Sequence, residues 1–488
     1  MSPATVTLVA VLLPVVAAGL VLALGRWPNA REAVPIVFGT GLFALVWSLM
    51  DTVRAGEAAR YTLLEVMPGV DLALHVEPLG VLFALVASFL WPVTTLYAVG
   101  YMRGHHEENQ TRFFTFFAIS IGGAMGVAFS ANLFTLFAFY EVLTLCTFPL
   151  VTHHQTEEAK RAGRVYLGVL LATSVGLQLL AIIWAWQLAG TVDFQAGGFL
   201  DGTASRGVLS VLLVLFVFGV GKAAVMPFHR WLPAAMVAPT PVSALLHAVA
   251  VVKAGVFTIL KVAVYVFGLD LLADLAATPW LAWAAGSTII LASLVAFTKD
   301  NLKARLAYST ISQLSYIVLG ALLANAYGII GGGMHIAMHA FGKITLFFAA
   351  GAVMVAAHEK KISRMHGLGR TMPITFGAFF IGSLSIIGVP PAGGTWSKWY
   401  LGLGTLEAGQ LGLLAVLMVS SLLGLWYLLE VPIRAFFSDP PEDAHHGEGI
   451  HEAPLPSVIA MCITAAATLA LFLYPGPFYE LMTLVVAP

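Results

Sequence analysis

Apolar stretches of about 20 residues recur along the whole of this 488-residue chain, and about 20 is the number a helix needs to cross the hydrocarbon core of a bilayer. About fourteen such spans are read, near 4–25, 34–53, 78–101, 113–130, 132–151, 165–190, 207–236, 241–268, 279–298, 304–323, 329–357, 373–408, 410–437 and 455–476. In lipid every backbone N–H and C=O must find a partner inside a helix or a closed barrel. Unbroken apolar runs lack the alternation of membrane strands, so the expected fold class is an all-α integral membrane protein. Composition agrees. The chain is 59% hydrophobic and 10% charged, with a mean hydropathy of +0.90, whereas a soluble domain is about 25% charged.

The first span has neither the basic start nor the small-residue cleavage pattern of a secretory signal, so it is expected to be retained. Cys146 and Cys462 both fall in spans, which supports neither a disulfide framework nor a cysteine-bound cluster. A net charge of −1 gives no sign of nucleic-acid binding. The longer polar connections are 54–77, the stretch near 191–206 and the acidic, His-bearing loop 438–454. That loop has the composition of a weak metal site, but a solvated linker is the better account.

Cytoplasmic loops carry the excess of Lys and Arg. Loops after odd-numbered spans, with the span ends that adjoin them, hold sixteen of the 24 basic residues, from Arg26 and Arg31 to Arg434, and loops after even-numbered spans hold only Arg54, Arg60 and Arg206. Both termini are therefore expected on the non-cytoplasmic side of a cell (inner) membrane. The remaining five, Lys222, Lys253, Lys261, Lys343 and Lys398, lie within spans. Each would cost roughly 2.5–3.5 kcal/mol at mid-bilayer if unpaired, so their retention implies a use. Lys261 is the weakest of the five, since contact with a helix surface or a partner subunit would explain it.

Glu141, in FYEVLTL, is the acid expected near the middle of a helix. Either it locks two helices in an ion pair or it tunes the proton affinity of a lysine, and the second reading is preferred. Glu430 stands one turn before Arg434 near a helix end, the spacing of a surface pair. Lys222 follows the glycines of GVGK and precedes Pro227 and Pro233, which remove backbone donors and break a helix. The stretch SIIGVPPAGGTWSKWY repeats that design before Lys398. Interruptions at corresponding places in two halves point to inverted repeats around an ion pathway. Here they fall in spans 7 and 12, which suggests spans 4–8 matched by spans 9–13.

Between the breaks, His247 precedes Lys253 by six residues, and His335, His339 and Lys343 share one helix face at i, i+4 and i+8. Histidine titrates near neutrality, so the stripe is suited to passing protons. Two other patterns fail. GVGKAA lacks the leading glycine and the Ser/Thr of a phosphate loop, and HIAMH has Ile336 where a zinc protease helix needs Glu.

The stretches FYEVLTL, GKAAVMPFHRWLP, APTPVSALLHAVAVVKAG, TKDNLKARLAYSTISQLSYI and HIAMHAFGKITLFFAAG together resemble the antiporter-type subunits shared by Mrp-type multisubunit cation/proton antiporters and the membrane arm of NADH-quinone oxidoreductase. The resemblance runs from about Glu77 to Phe437. It implies fourteen helices with two inverted five-helix repeats, at 113–268 and 279–437, flanked by N-terminal helices in 1–112 and a C-terminal helix in 455–488. It also implies that Glu141 pairs with Lys222, that Lys253 relays protons with His247 beside it, and that Lys343 and His339 continue the path to Lys398. Two features depart from the pattern. Ala234, Ala235 and Met236 replace an acid that many relatives carry after WLP, and the chain closes soon after span 14, as a D-type Mrp subunit would.

The expected function is that of a proton-translocating subunit of a multisubunit Na⁺ or K⁺/proton antiporter, a transporter with membrane subunits and lipid as its partners. The alternatives are a proton-pumping subunit of a redox enzyme, either an NADH-quinone oxidoreductase or an energy-converting hydrogenase, and the energising subunit of an inorganic-carbon uptake complex. No cofactor is expected on this chain, since no pattern for flavin, haem, an iron–sulfur cluster or quinone is recognisable.

Overall fold

The computed structural model describes residues 1–439 and 449–487. The centre of the His-bearing loop singled out above, 440–448, lies outside the described residues. In chain order the long elements are α1 (Pro3–Ala23), α2 (Pro28–Trp47), β1 (Arg60–Met67), β2 (Val70–His75), α3 (Pro78–Gly104), α4 (Gln110–Ala128) and α5 (Leu133–Val151). They continue as α6 (Glu157–Ala189), α7 (Arg206–Gly219), α8 (Thr240–Phe267), α9 (Ala277–Thr298), α10 (Leu302–Leu322) and α11 (Ala326–Ala357). The last are α12 (Pro373–Ile387), α13 (Gly394–Glu407), α14 (Leu411–Phe437), α15 (Leu455–Leu473) and α16 (Gly476–Val486).

Among the described residues, eleven helices are long and apolar enough to cross a membrane, against the fourteen spans expected. The difference has three sources. Spans 7 and 12 are broken into pieces too short to cross, and α10 carries Lys303, Arg305, Ser309, Ser312, Gln313 and Ser315 along an otherwise apolar helix.

Two features go beyond the sequence expectations. Residues 54–77, read as a polar connection, contain an antiparallel hairpin in which Arg60 pairs with His75 and Met67 with Val70. Gly69 sits at its tip with φ +80°, where a residue without Cβ is favoured. Strand β2 buries Val70, Ala73 and Leu74, which anchors the ribbon on the bundle. In addition, the C-terminal segment 455–488, read as holding one helix, carries a second, α16, after α15.

Burial sorts the helices into layers. The whole apolar window of α8 is buried, as is about four-fifths of α3 and α11, but only a third of α6 and α14. The first three therefore form the centre and the last two the rim. Tyr97 of α3 ties the centre together: its ring stacks on Phe348 of α11 at 3.9 Å and its hydroxyl donates to the Phe348 carbonyl at 2.9 Å. On the rim, Leu145, Leu180, Trp283, Leu422 and Trp426 stay exposed, as a face solvated by lipid requires.

Candidate functional site: a row of buried amines

Two interruptions frame the site. Helix α7 stops at Gly219; a 3₁₀ turn over Gly221–Ala223 follows, then turns around Pro227 and a short helix, Trp231–Ala234. Prolines remove backbone donors and clash with the preceding turn, so the chain cannot resume a helix here. Lys222 lies within the 3₁₀ turn and is fully buried. The second interruption separates α12 from α13 at Gly388, Pro390 and Pro391, and Lys398 lies one turn into α13. Gly388 has φ +89°, and a Cβ there would meet Cδ of Lys398 at 2.4 Å; the glycine makes room for the amine.

Helix α8 passes directly against the first break. A Cβ on Gly255 would fall 2.4 Å from the carbonyl carbon of Lys222, so glycine is what allows this contact. Two residues earlier on α8 stands Lys253, fully buried.

The amines meet neutral groups. Lys222 Nζ donates to the Tyr140 carbonyl at 2.8 Å and to Thr144 Oγ1 at 2.5 Å, and sits 3.1 Å from the centre of the Tyr140 ring. Lys253 Nζ meets Nδ1 of His339 on α11 at 2.6 Å. Lys343 Nζ donates to Ser309 Oγ of α10 at 2.6 Å, and Tyr427 of α14 donates to the same hydroxyl at 3.0 Å. Lys398 Nζ donates to the Ile387 carbonyl at 3.0 Å and to Ser421 Oγ at 2.9 Å, 4.6 Å from the Tyr316 ring centre. Two imidazoles stand between Lys253 and Lys398: the rings of His335 and His339 are 5.7 Å apart without a hydrogen bond between them, and His335 Nδ1 meets Ser397 Oγ at 2.8 Å. Ser397 precedes Lys398 in the chain, so α8, α11 and α13 are joined side chain to side chain.

Three sequence expectations change in detail. Glu141 and Lys222 form no ion pair within 4.0 Å. Instead, Lys222 docks on the turn of α5 that carries Glu141, within reach of its charge. Both Glu141 carboxylate oxygens are enclosed without a protein hydrogen bond. His247 does not bond to Lys253 either. It falls in a π-helical turn, Leu245–Val249, with its ring against Phe347 at 4.7 Å and neither ring nitrogen bonded to protein. The stripe His335, His339 and Lys343 is present on α11, but its members turn to different neighbours: His335 to α13, His339 to α8 and Lys343 to α10.

Lys261 stands apart from the others. It is fully buried and ion-paired to Glu77 at 2.9 Å, with Ser130 O at 2.5 Å and the Phe194 ring centre at 4.2 Å. Among the described residues it is the one intramembrane lysine of the five with a carboxylate within 4.0 Å. Glu77 escaped the sequence reading because it caps α3 rather than sitting inside a helix. Glu430 does pair with Arg434 at 2.7 Å, but it also binds buried Arg305 at 2.6 Å, so the pair belongs to an interhelix network and not to a free surface. Among the described residues no group of three or more His, Cys, Asp or Glu is placed to hold a metal ion.

The model of the NADH:quinone oxidoreductase/Mrp antiporter transmembrane family matches residues 130–424, which cover the first break, α8, α11 and Lys398. Among curated proteins, NADH-quinone oxidoreductase subunit N of Desulforudis audaxviator is 31% identical over 405 residues, 82% of this chain and 80% of its own. Hydrogenase-4 component B of Escherichia coli is 32% identical over 422 residues, 81% of this chain and 61% of its own. Among solved structures, a chain of the Mrp complex from Dietzia superposes with a TM-score of 0.87 at 24% identity, covering 99% of this chain and 97% of that one. A chain of an archaeal membrane-bound sulfane sulfur reductase superposes with a TM-score of 0.83, also at 24% identity, covering 98% and 96%. With three-fifths of its length matched and its burial pattern that of a multi-pass bundle, the chain belongs to the NADH:quinone oxidoreductase/Mrp antiporter family of membrane subunits.

Proposed function

We propose that this chain is the proton-translocating subunit of a multisubunit monovalent cation/proton antiporter, carrying H⁺ along Glu141, Lys222, His247, Lys253, His335, His339, Lys343 and Lys398. The observation that carries this reading is that Lys222, Lys253, Lys343 and Lys398 are each held by neutral acceptors, without an ion-paired carboxylate. With no ion-paired carboxylate beside it, the charge on such an amine is not locked in place. Such a group takes up and gives up a proton with little input. Two charged members about 6 Å apart would repel by roughly 3 kcal/mol at an effective dielectric near 20, so charging one discharges the next. The enclosed Glu141 carboxylate supports the charged state of Lys222 until the two move apart.

Moving each proton across the membrane is worth about 2.3 kcal/mol per 100 mV, which the complex would exchange against Na⁺ or K⁺. Residues 113–268 and 279–437 would act as inverted halves hinged at the two breaks, in a cell membrane with both termini on the non-cytoplasmic side. Lys222→Ala and Glu141→Ala, assayed in vesicles holding the whole complex, are each expected to abolish proton-coupled cation exchange at normal assembly. Parental exchange in either would overturn the reading.

A second reading keeps the proton path and changes the partners. The curated relatives include oxidoreductase and hydrogenase subunits, which favours a pump driven by redox partners. Copurification with mass spectrometry separates the two: small antiporter subunits support the first, and flavin- or iron–sulfur-bearing partners support the second.

A further inference from the structure

The lysine row needs an aqueous terminus, and a cluster on the arginine-rich face has the chemistry for one. After α3 the chain turns through Gly104–Asn109, and the Glu107 carboxylate faces three imidazoles: His105 Nδ1 at 3.1 Å, His154 Nε2 at 3.2 Å and His153 Nε2 at 3.9 Å. Glu107 itself is nearly enclosed, with 7% of its side chain exposed, whereas His105 and His154 are 29% and 38% exposed. Glu107 also lines a cleft of about 1070 Å³ shared with Trp27, Arg103 and Arg112. The cluster is therefore buried on one side and open to water on the other.

The charge of Glu107 reaches Lys303 at the start of α10, and Lys303 Nζ donates to the Ala238 carbonyl, just before α8, at 2.6 Å. Lys303 in turn acts electrostatically on His247, which also feels Lys253 and Lys343. The remaining charged and titratable groups facing the cluster are Tyr101, stacked on His105 at 5.6 Å, Arg112, which donates to the His153 carbonyl, and Lys360 beside Lys303. A metal site is the wrong description. His153 Nε2 is bonded to the Glu108 carbonyl at 3.0 Å, and among the described residues no group of three or more His, Cys, Asp or Glu is placed to hold a metal ion.

We propose that Glu107 with His105 and His154 is the proton-exchange site of the arginine-rich face, passing protons between water in the adjoining cleft and Lys303; this rests on the reading of the chain as a proton carrier. The protonation states fit the assignment. Burial would raise the Glu107 carboxyl, but His154, His153 and His105 outweigh it and hold it below the ordinary value, so it stays an anion. Burial pushes His153 down to about 4, leaving it neutral near pH 7. The two imidazoles open to water, His105 and His154, are then the ones placed to exchange with it. The need for them is kinetic. With an encounter limit of about 10⁹–10¹⁰ M⁻¹s⁻¹, bulk water at pH 8 delivers only on the order of 10–100 protons per second to a single buried acceptor. A carboxylate anion beside the cleft raises the local supply.

The test is the rate of proton-coupled exchange in vesicles holding the whole complex, measured at about pH 8 and about pH 6, between which the bulk proton supply rises about a hundredfold. Glu107→Gln and His154→Gln are each expected to lose rate at the higher pH and to regain the parental rate at the lower one. His154 is exposed enough that its replacement leaves folding intact, and chain recovered in the complex is quantified for both. Parental rates in the His154→Gln complex at the higher pH, or an equal loss at both pH values, would overturn the proposal. Lys222→Ala run alongside keeps the two readings apart: it is expected to be inactive at both pH values, and its activity would overturn the proton-carrier reading instead.

Discussion

Lys253 and Lys261 stand eight residues apart on one helix, both fully buried, yet they are held in opposite ways. Lys261 has a carboxylate at 2.9 Å and a backbone carbonyl at 2.5 Å. Lys253 has an imidazole nitrogen. A buried ion pair fixes its charges, because removing either partner strands the other in a low dielectric. An amine against an imidazole has no opposite charge to hold its proton in place. One helix thus carries a fixed charge that braces α3 and α8 and a labile one that can work, and the difference lies in the partner, not in burial.

Replacing each lysine by a residue of similar length sharpens the contrast. Lys253→Met is expected to abolish proton-coupled exchange while the complex assembles at parental yield or better, since exchanging an unpaired buried charge for an apolar group relieves desolvation. Lys261→Met is expected to lower stability by about 3–5 kcal/mol by leaving Glu77 uncompensated, read as lost thermal stability of the purified complex. Adding Glu77→Gln to it should recover most of that loss, and no recovery would break the comparison. Gly255→Ala drives a methyl into the Lys222 turn and is expected to destabilise by about 1–3 kcal/mol, with exchange reduced through displacement of Lys222.

The smallest effect belongs to an exposed pair. The Arg54 hydrogen bond holds the Glu480 carboxyl below its ordinary value. Any stability from this contact is therefore present above the ordinary carboxylate range and lost as the pH falls through the depressed value. Exposed pairs contribute little, so Arg54→Ala should leave the melting temperature unchanged within error at neutral pH.

Much of this was legible in the sequence because the bilayer leaves few options. A 20-residue apolar run, a proline-broken span and a lysine inside either are each forced readings, and Lys222, Lys253, Lys343 and Lys398 were found that way. The partners were not. Ser309, Ser397, Ser421 and Tyr427 look like ordinary residues of amphipathic helices, and their role follows only from which helix faces which. The serines of YSTISQLSY, repeating at Ser309, Ser312 and Ser315, were the signal available. Glu77 was missed because a helix cap is an ordinary place for an acid. The hairpin was missed because its outward strand, β1, is nearly all exposed and has no apolar alternation to mark it.

Lys253→Arg separates charge from proton release most directly. Arginine keeps the positive charge and hydrogen-bonding capacity but does not deprotonate in a protein. Measured as proton-coupled exchange in vesicles with matched amounts of assembled complex, this variant should be present at parental level and inactive. Parental exchange through a permanently charged guanidinium would contradict the claim that the amine must shed its proton.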